Sequence, residues 1–160
     1  MSATYTQSLE ICQRHAARLA WAMSEFSGKF PLTSDVIIGL TNTELAVLDM
    51  FSTRFAKLQD AMGATLFPAV LELTKEQGNY QAFLDKLNRL EKIGAIESAD
   101  RWLVLREMRN EFAYDYPDDP AIQAAILNKA YPLANELLAI LHNIELFAEP
   151  YSSGAEKPPK

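Results

Sequence analysis

Apolar residues recur along most of the chain at alternating spacings of three and four, the period of helices with one buried stripe. From about Tyr5 to Ser27 the stripe is Leu9, Cys12, Ala16, Leu19, Met23 and Phe26, and Gly28 is placed to end the helix. The apolar FPLTSDVIIGL that follows carries Pro31 and Gly39, and predicts an ordered connector packed over a bundle. Thr41 and Glu44 have capping-box spacing, so a second helix starts near Asn42. Its stripe is Leu45, Leu48, Phe51, Phe55, Leu58, Met62 and Leu66. Pro68 is expected to kink or split it before Val70, Leu71 and Leu73 resume the pattern up to Gly78.

A third helix is expected over about Tyr80 to Ile93, with Phe83, Leu84, Leu87 and Leu90 inward and a Schellman ending at Gly94 and Ile96. Ser98 caps a fourth helix, with Asp100 in its first turn, that runs to a stop at Pro117. Asp119 before Pro120 opens a fifth, with Ile122, Ile126, Leu133, Leu137, Ile140, Leu141, Ile144 and Phe147 as its apolar side and a bend at Pro132. No internal repeat or strand pattern interrupts this. The fold class is therefore all-α: an antiparallel four- or five-helix up-and-down bundle, one domain over 1–148, with a flexible polar tail over 149–160.

At 160 residues the chain is long enough to bury a real core. No apolar run reaches the roughly 18 residues of a membrane span, and the N-terminus lacks a secretory pattern. The single Cys12 excludes an intrachain disulfide, and together these features favour the cytoplasm. A net charge of −6 argues against non-specific coating of nucleic acid. Lys86, Arg89, Lys92, Arg101, Arg106 and Arg109 are close in sequence, but six carboxylates are interleaved with them, which reads better as a solvated mixed-charge face.

The segment Leu105–Pro120, LREMRNEFAYDYPDDP, carries more chemistry than packing requires. Leu105, Met108 and Phe112 define the buried side of the fourth helix; Arg109 and Tyr116 fall on or beside it, and Arg106 and Asn110 flank it. An arginine and a tyrosine at an apolar face need partners. Three arrangements supply them: a carboxylate from a neighbouring helix, a subunit interface, or a phosphate held by the guanidinium.

Arg109-Asn110-Glu111-Phe112-Ala113-Tyr114-Asp115-Tyr116 resembles the signature of the HEPN superfamily, especially its HepT-like toxins: Arg, four residues, His, one residue, Tyr, with Asn commonly after the Arg. The resemblance implies a metal-independent endoribonuclease without cofactor, active as a homodimer whose motif helices face each other across a cleft. It also implies a cognate nucleotidyltransferase antitoxin as partner and an RNA target, tRNA or mRNA. Carried over, Arg109 contacts the scissile phosphate, Asn110 supports the site, and Tyr116 is the tyrosine that in some systems receives AMP; Arg106, beside Arg109 on the helix, is a further candidate for RNA or phosphate binding.

The departure is Tyr114, which stands where the family has its catalytic histidine. Imidazole titrates near 6.5 and suits proton transfer at neutral pH, whereas a phenol titrates near 10. Losing such a group typically lowers the rate about 100- to 10,000-fold. The expectation is thus an RNase scaffold with little or no activity, either a natural non-catalytic member or a toxin disabled by substitution. The runner-up is a non-catalytic, substrate-binding partner of a nucleotidyltransferase, and a plain dimeric adaptor bundle comes third. His15 and His142, the only histidines, read as partly exposed helical residues. No metal-ligand cluster, Walker loop, dinucleotide glycine pattern or Gly-x-Ser-x-Gly elbow is present in the sequence.

Overall fold

The computed structural model describes residues 3–76, 78, 82–113 and 118–152. The elements are α1 (Ala3–Glu25), a short α2 (Ser34–Ile38), α3 (Asn42–Ala61), a π turn (Met62–Leu66), α4 (Phe67–Leu73), α5 (Phe83–Ile93), α6 (Ala99–Phe112) and α7 (Pro120–Ser152). Among the described residues there is no strand, and the chain is an all-α bundle. No helix among them is long and apolar enough to cross a membrane.

The helix ends follow the local chemistry of the sequence. Thr41 Oγ1 accepts from Glu44 N at 3.1 Å while Thr41 N donates to Glu44 Oε1 at 3.0 Å, the reciprocal pair of a capping box. Lys29 Nζ adds a contact to the same carboxylate at 3.1 Å. These bonds hold the Glu44 carboxyl below its usual range, the backbone bond from Thr41 first. Ser98 accepts from Arg101 N to open α6, and Asp119 accepts from Ala121 N to open α7. Gly94 is left-handed at φ 88°, and Ala95 N and Gly94 N close back on Leu90 and Glu91, which is the expected Schellman ending.

Pro68 does not split the second helix. The chain widens into the π turn just before it, so the rod from Asn42 to Leu73 continues past the bond that Pro68 cannot donate. Phe67 and Trp102 then meet with ring centroids 4.5 Å apart at the bundle centre. Counting this rod once, five long helices and α2 make up the described fold.

Some expected core positions face out instead. Leu84, Leu45 and Ile122 are exposed. The buried arc of α5 runs through Phe83, Leu87 and Leu90, and Leu84 is rotated about a quarter-turn from it. In α7 the buried stripe is Leu127, Ala130, Ala134, Leu137, Leu141, Ile144 and Ala148. The larger Ile122, Ile126, Leu133, Ile140 and Phe147 are exposed or half-buried beside it. Alanines carry this stripe because helices cross closely only where side chains are small. Helix α7 also continues to Ser152, beyond the expected boundary at 148, and passes through Pro132 and Pro150. The expected start of α5 at Tyr80 and the stop at Pro117 lie outside the described residues.

The segment after α1 is hydrogen-bonded to α7 through Asn128. Asn128 Oδ1 accepts from Leu32 N at 2.6 Å, and Asn128 Nδ2 donates to Leu32 O at 2.8 Å. Phe30 stacks on Tyr131 one turn further along α7, at 4.1 Å. Asn128→Ala leaves both backbone groups of Leu32 without these bonds and is expected to destabilise the fold by about 1–3 kcal/mol. Urea unfolding checks this, and an unchanged midpoint would contradict it.

Candidate functional site

Helix α6 runs antiparallel to α3 on one side and to α7 on the other. Arg101 pairs with Glu136 and Glu111 accepts from Lys129, which ties both ends of α6 to α7. Leu105 and Met108 are fully buried, as the stripe requires. Phe112 meets Phe55 and Phe51 edge-on, at 5.5 and 6.3 Å between centroids. That contact seats the last turn of α6 on α3, and Arg109 is carried to the seam between the two helices.

Arg109 finds its partner there. Its Nε donates to Asp60 Oδ1 at 2.8 Å and its Nη2 to Asp60 Oδ2 at 2.9 Å, a bidentate fork. Of the three arrangements open to this arginine, the neighbouring-helix carboxylate is the one the chain forms. Hydrogen bonding to Asp60 raises the guanidinium further above its ordinary value, so it is always charged. The pair is not sealed: the side chains are 32% and 50% exposed, and Nη1 takes no part in the fork.

Two concavities flank this pair. One, of about 300 Å³, is lined by Ser52, Thr53, Lys57, Asp60, Arg109 and Phe112, among others. The second, of about 320 Å³, is lined by Gln59, Asp60, Gly63, Ala64, Phe83 and Arg106. Asp60 lines both, so they adjoin along the α3–α6 seam. Arg106 lies over the Phe83 ring at 5.3 Å, a cation–π contact at an exposed position.

Arg106 and Arg109 thus share one seam. Asn110 is half-buried beside them, with its backbone carbonyl accepting from Ala113 N at the end of α6. Tyr114 and Tyr116 lie outside the described residues. The α3 side of the seam, Ser52, Thr53, Lys57 and Asp60, was not singled out from sequence. Its only signal was that these residues fall off the apolar stripe of α3, which does not say which helix lies opposite.

The remaining reactive groups lead elsewhere. Cys12 is buried, and burial followed by Glu145 pushes its thiol up to about 12; the nucleophilic thiolate is therefore scarce at neutral pH. His142 is exposed, and His15 is half-buried at Nδ1···Nη1 2.9 Å from Arg54. Among the described residues no group of His, Cys, Asp and Glu is arranged to hold a metal. No family model, curated protein or solved structure matches the chain significantly.

What the seam can do is hold an anion. A guanidinium with one free edge, a lysine and two hydroxyls form a recess whose one carboxylate is exposed. Exposed ion pairs of this kind contribute up to about 1 kcal/mol. A double-mutant cycle of Asp60→Ala and Arg109→Ala, read by thermal or urea unfolding, is expected to give a coupling of about 1 kcal/mol or less. A coupling of about 3 kcal/mol, the scale of breaking a buried pair, would make Arg109 a structural strut unavailable to ligand.

Proposed function

We propose that the chain is a HEPN-type protein whose RNA-directed site is centred on Arg109, and that it turns RNA over poorly or not at all because Tyr114 replaces the motif histidine. The observation that carries this is the setting of Arg109. It lies in the last described turn of α6, one-third exposed, in a recess with Lys57, Ser52 and Thr53. The motif that resembles the family begins at this residue, and the all-α bundle is compatible with it.

In this reading Arg109 exchanges Asp60 for a phosphodiester, and Arg106 supports a neighbouring phosphate. Attack of the ribose 2′-hydroxyl then needs a base to take its proton and an acid to protonate the leaving oxygen. A tyrosine at 114 supplies a hydrogen bond but carries protons poorly at neutral pH. Asn110 supports the site, and Tyr116 is the position for AMP modification. A homodimer pairing two α6 ends, a cytoplasmic location and a nucleotidyltransferase as cognate partner belong to the same reading.

A second reading is favoured by the Asp60 fork. Because Arg109 is already satisfied within the chain, the protein serves as a non-catalytic HEPN partner that docks beside a nucleotidyltransferase and helps to hold its substrate. Restoring the histidine separates the two. Under the first reading Tyr114→His cleaves total RNA or tRNA at least about 100-fold faster than the natural chain, and Tyr114→His with Arg109→Ala is silent. A Tyr114→His protein that is folded but inert on both RNAs overturns the disabled-RNase account. A stable complex with a nucleotidyltransferase then carries the second reading.

A further inference from the structure

A second cationic surface lies on the α1–α3 face and meets the α6 seam only at Lys57. Arg14, Arg18 and Trp21 follow one another at spacings of four and three on α1, which aligns them on one side of the helix. All three are exposed, Trp21 by 49%, and Ile11 extends the same side at 43%. Helix α3 packs alongside and contributes Arg54, whose Nη1 lies 2.9 Å from His15 Nδ1, and the exposed Lys57. The His15 ring is depressed below its usual value by burial first, then by Arg54, Lys57, Arg14 and Arg18; every charge named there is positive.

The sequence around these groups is poor in counter-charge, with Glu10, one turn before Arg14, at its edge. Between Glu10 and Glu25 on α1 there is no carboxylate, and there is none between Asp49 and Asp60 on α3. Of those four, Asp60 is engaged by Arg109. A chain with net charge −6 therefore concentrates four cations and a half-buried histidine on one face. An exposed indole continues it.

Charge complementarity selects a polyanion for such a face, and the indole selects among polyanions. Cations that follow a phosphate backbone, together with an aromatic platform for a base, are the features of a single-stranded nucleic acid site. We propose that the α1–α3 face binds a single nucleic acid strand, with Arg14, Arg18, Arg54 and Lys57 on the phosphates and one base stacked on Trp21. This surface does not depend on the Arg109 reading. Lys57 borders both regions, so one strand can run from α1 across α3 to the α6 seam.

The test uses the full chain and a labelled single-stranded RNA dodecamer of uridines, with binding read by fluorescence anisotropy at two salt concentrations. The variants avoid Lys57 and the α6 seam. Arg14→Glu with Arg18→Glu is expected to weaken binding at least tenfold, and the milder Arg14→Gln with Arg18→Gln to weaken it less but measurably. Lys75→Glu with Lys92→Glu, the same charge change elsewhere, is expected to weaken it far less. Trp21→Ala is expected to lose about 5- to 150-fold, the value of one stacked base. Because Trp102 is buried, indole quenching on binding reports Trp21.

Unchanged affinity in the Arg14/Arg18 variants, or no binding by the natural chain at low salt, overturns the proposal. Loss of affinity without Trp21 quenching, matched by inorganic polyphosphate, overturns the nucleic-acid assignment in favour of a general anion surface. Equal binding to phosphatidylserine vesicles, lost on the same substitutions, overturns it in favour of a lipid surface. Arg109→Ala tests the other site by itself, so failure at one surface is distinguishable from failure at the other.

Discussion

The bidentate contact between Arg109 and Asp60 governs how the end of α6 is used. It joins two helices whose other contact there is aromatic, Phe112 against Phe51 and Phe55. The rings supply burial, which is non-directional, whereas the fork fixes which way the guanidinium faces. The rings help to seat the last turn of α6, and Asp60 is the partner that the Arg109 guanidinium finds there. The pair is also partly exposed to solvent. In the proposed function, the residue that ties the two helices is also the one that would take up the ligand.

Much of the fold was legible because it is written locally. Thr41 and Glu44 lie three residues apart, and their capping box needs nothing beyond α3. Gly94, Ser98 and Asp119 are equally local signals, and all three formed the expected ends. What failed depends on neighbours. The choice between large and small residues for the buried side of α7 is made by how closely other helices approach, so Ala130, Ala134 and Ala148 displaced bulkier candidates. Pro68 likewise forbids a bond without saying how the chain compensates, and the π turn before it is one answer among several.

The site divides in the same way. Arg106, Arg109 and Asn110 were visible as a polar-aromatic excess on one helix, but Asp60 and Lys57 come from 49 and 52 positions away, counted from Arg109 to each. No spacing rule links them. The cluster of Arg14, His15, Arg18, Arg54 and Lys57 was missed for that reason, since it forms only when α1 and α3 lie side by side. Among the basic residues that crowd together in sequence, Arg89 pairs with Glu76 after α4, Arg101 with Glu136 of α7 and Arg109 with Asp60 of α3.

We propose that Arg109 holds an anion while Asp60 keeps the guanidinium in place. The most direct measurement follows the Arg109 Nε–Hε signal by NMR, assigned with Arg109→Lys, during titration with a dinucleoside monophosphate that offers one phosphodiester. The signal is expected to shift and saturate in the natural chain. In Asp60→Asn it should reach half-saturation at about a two- to fivefold lower concentration, the worth of an exposed ion pair. A signal that stays fixed in both proteins would leave Arg109 a tie between two helices with no part in anion binding.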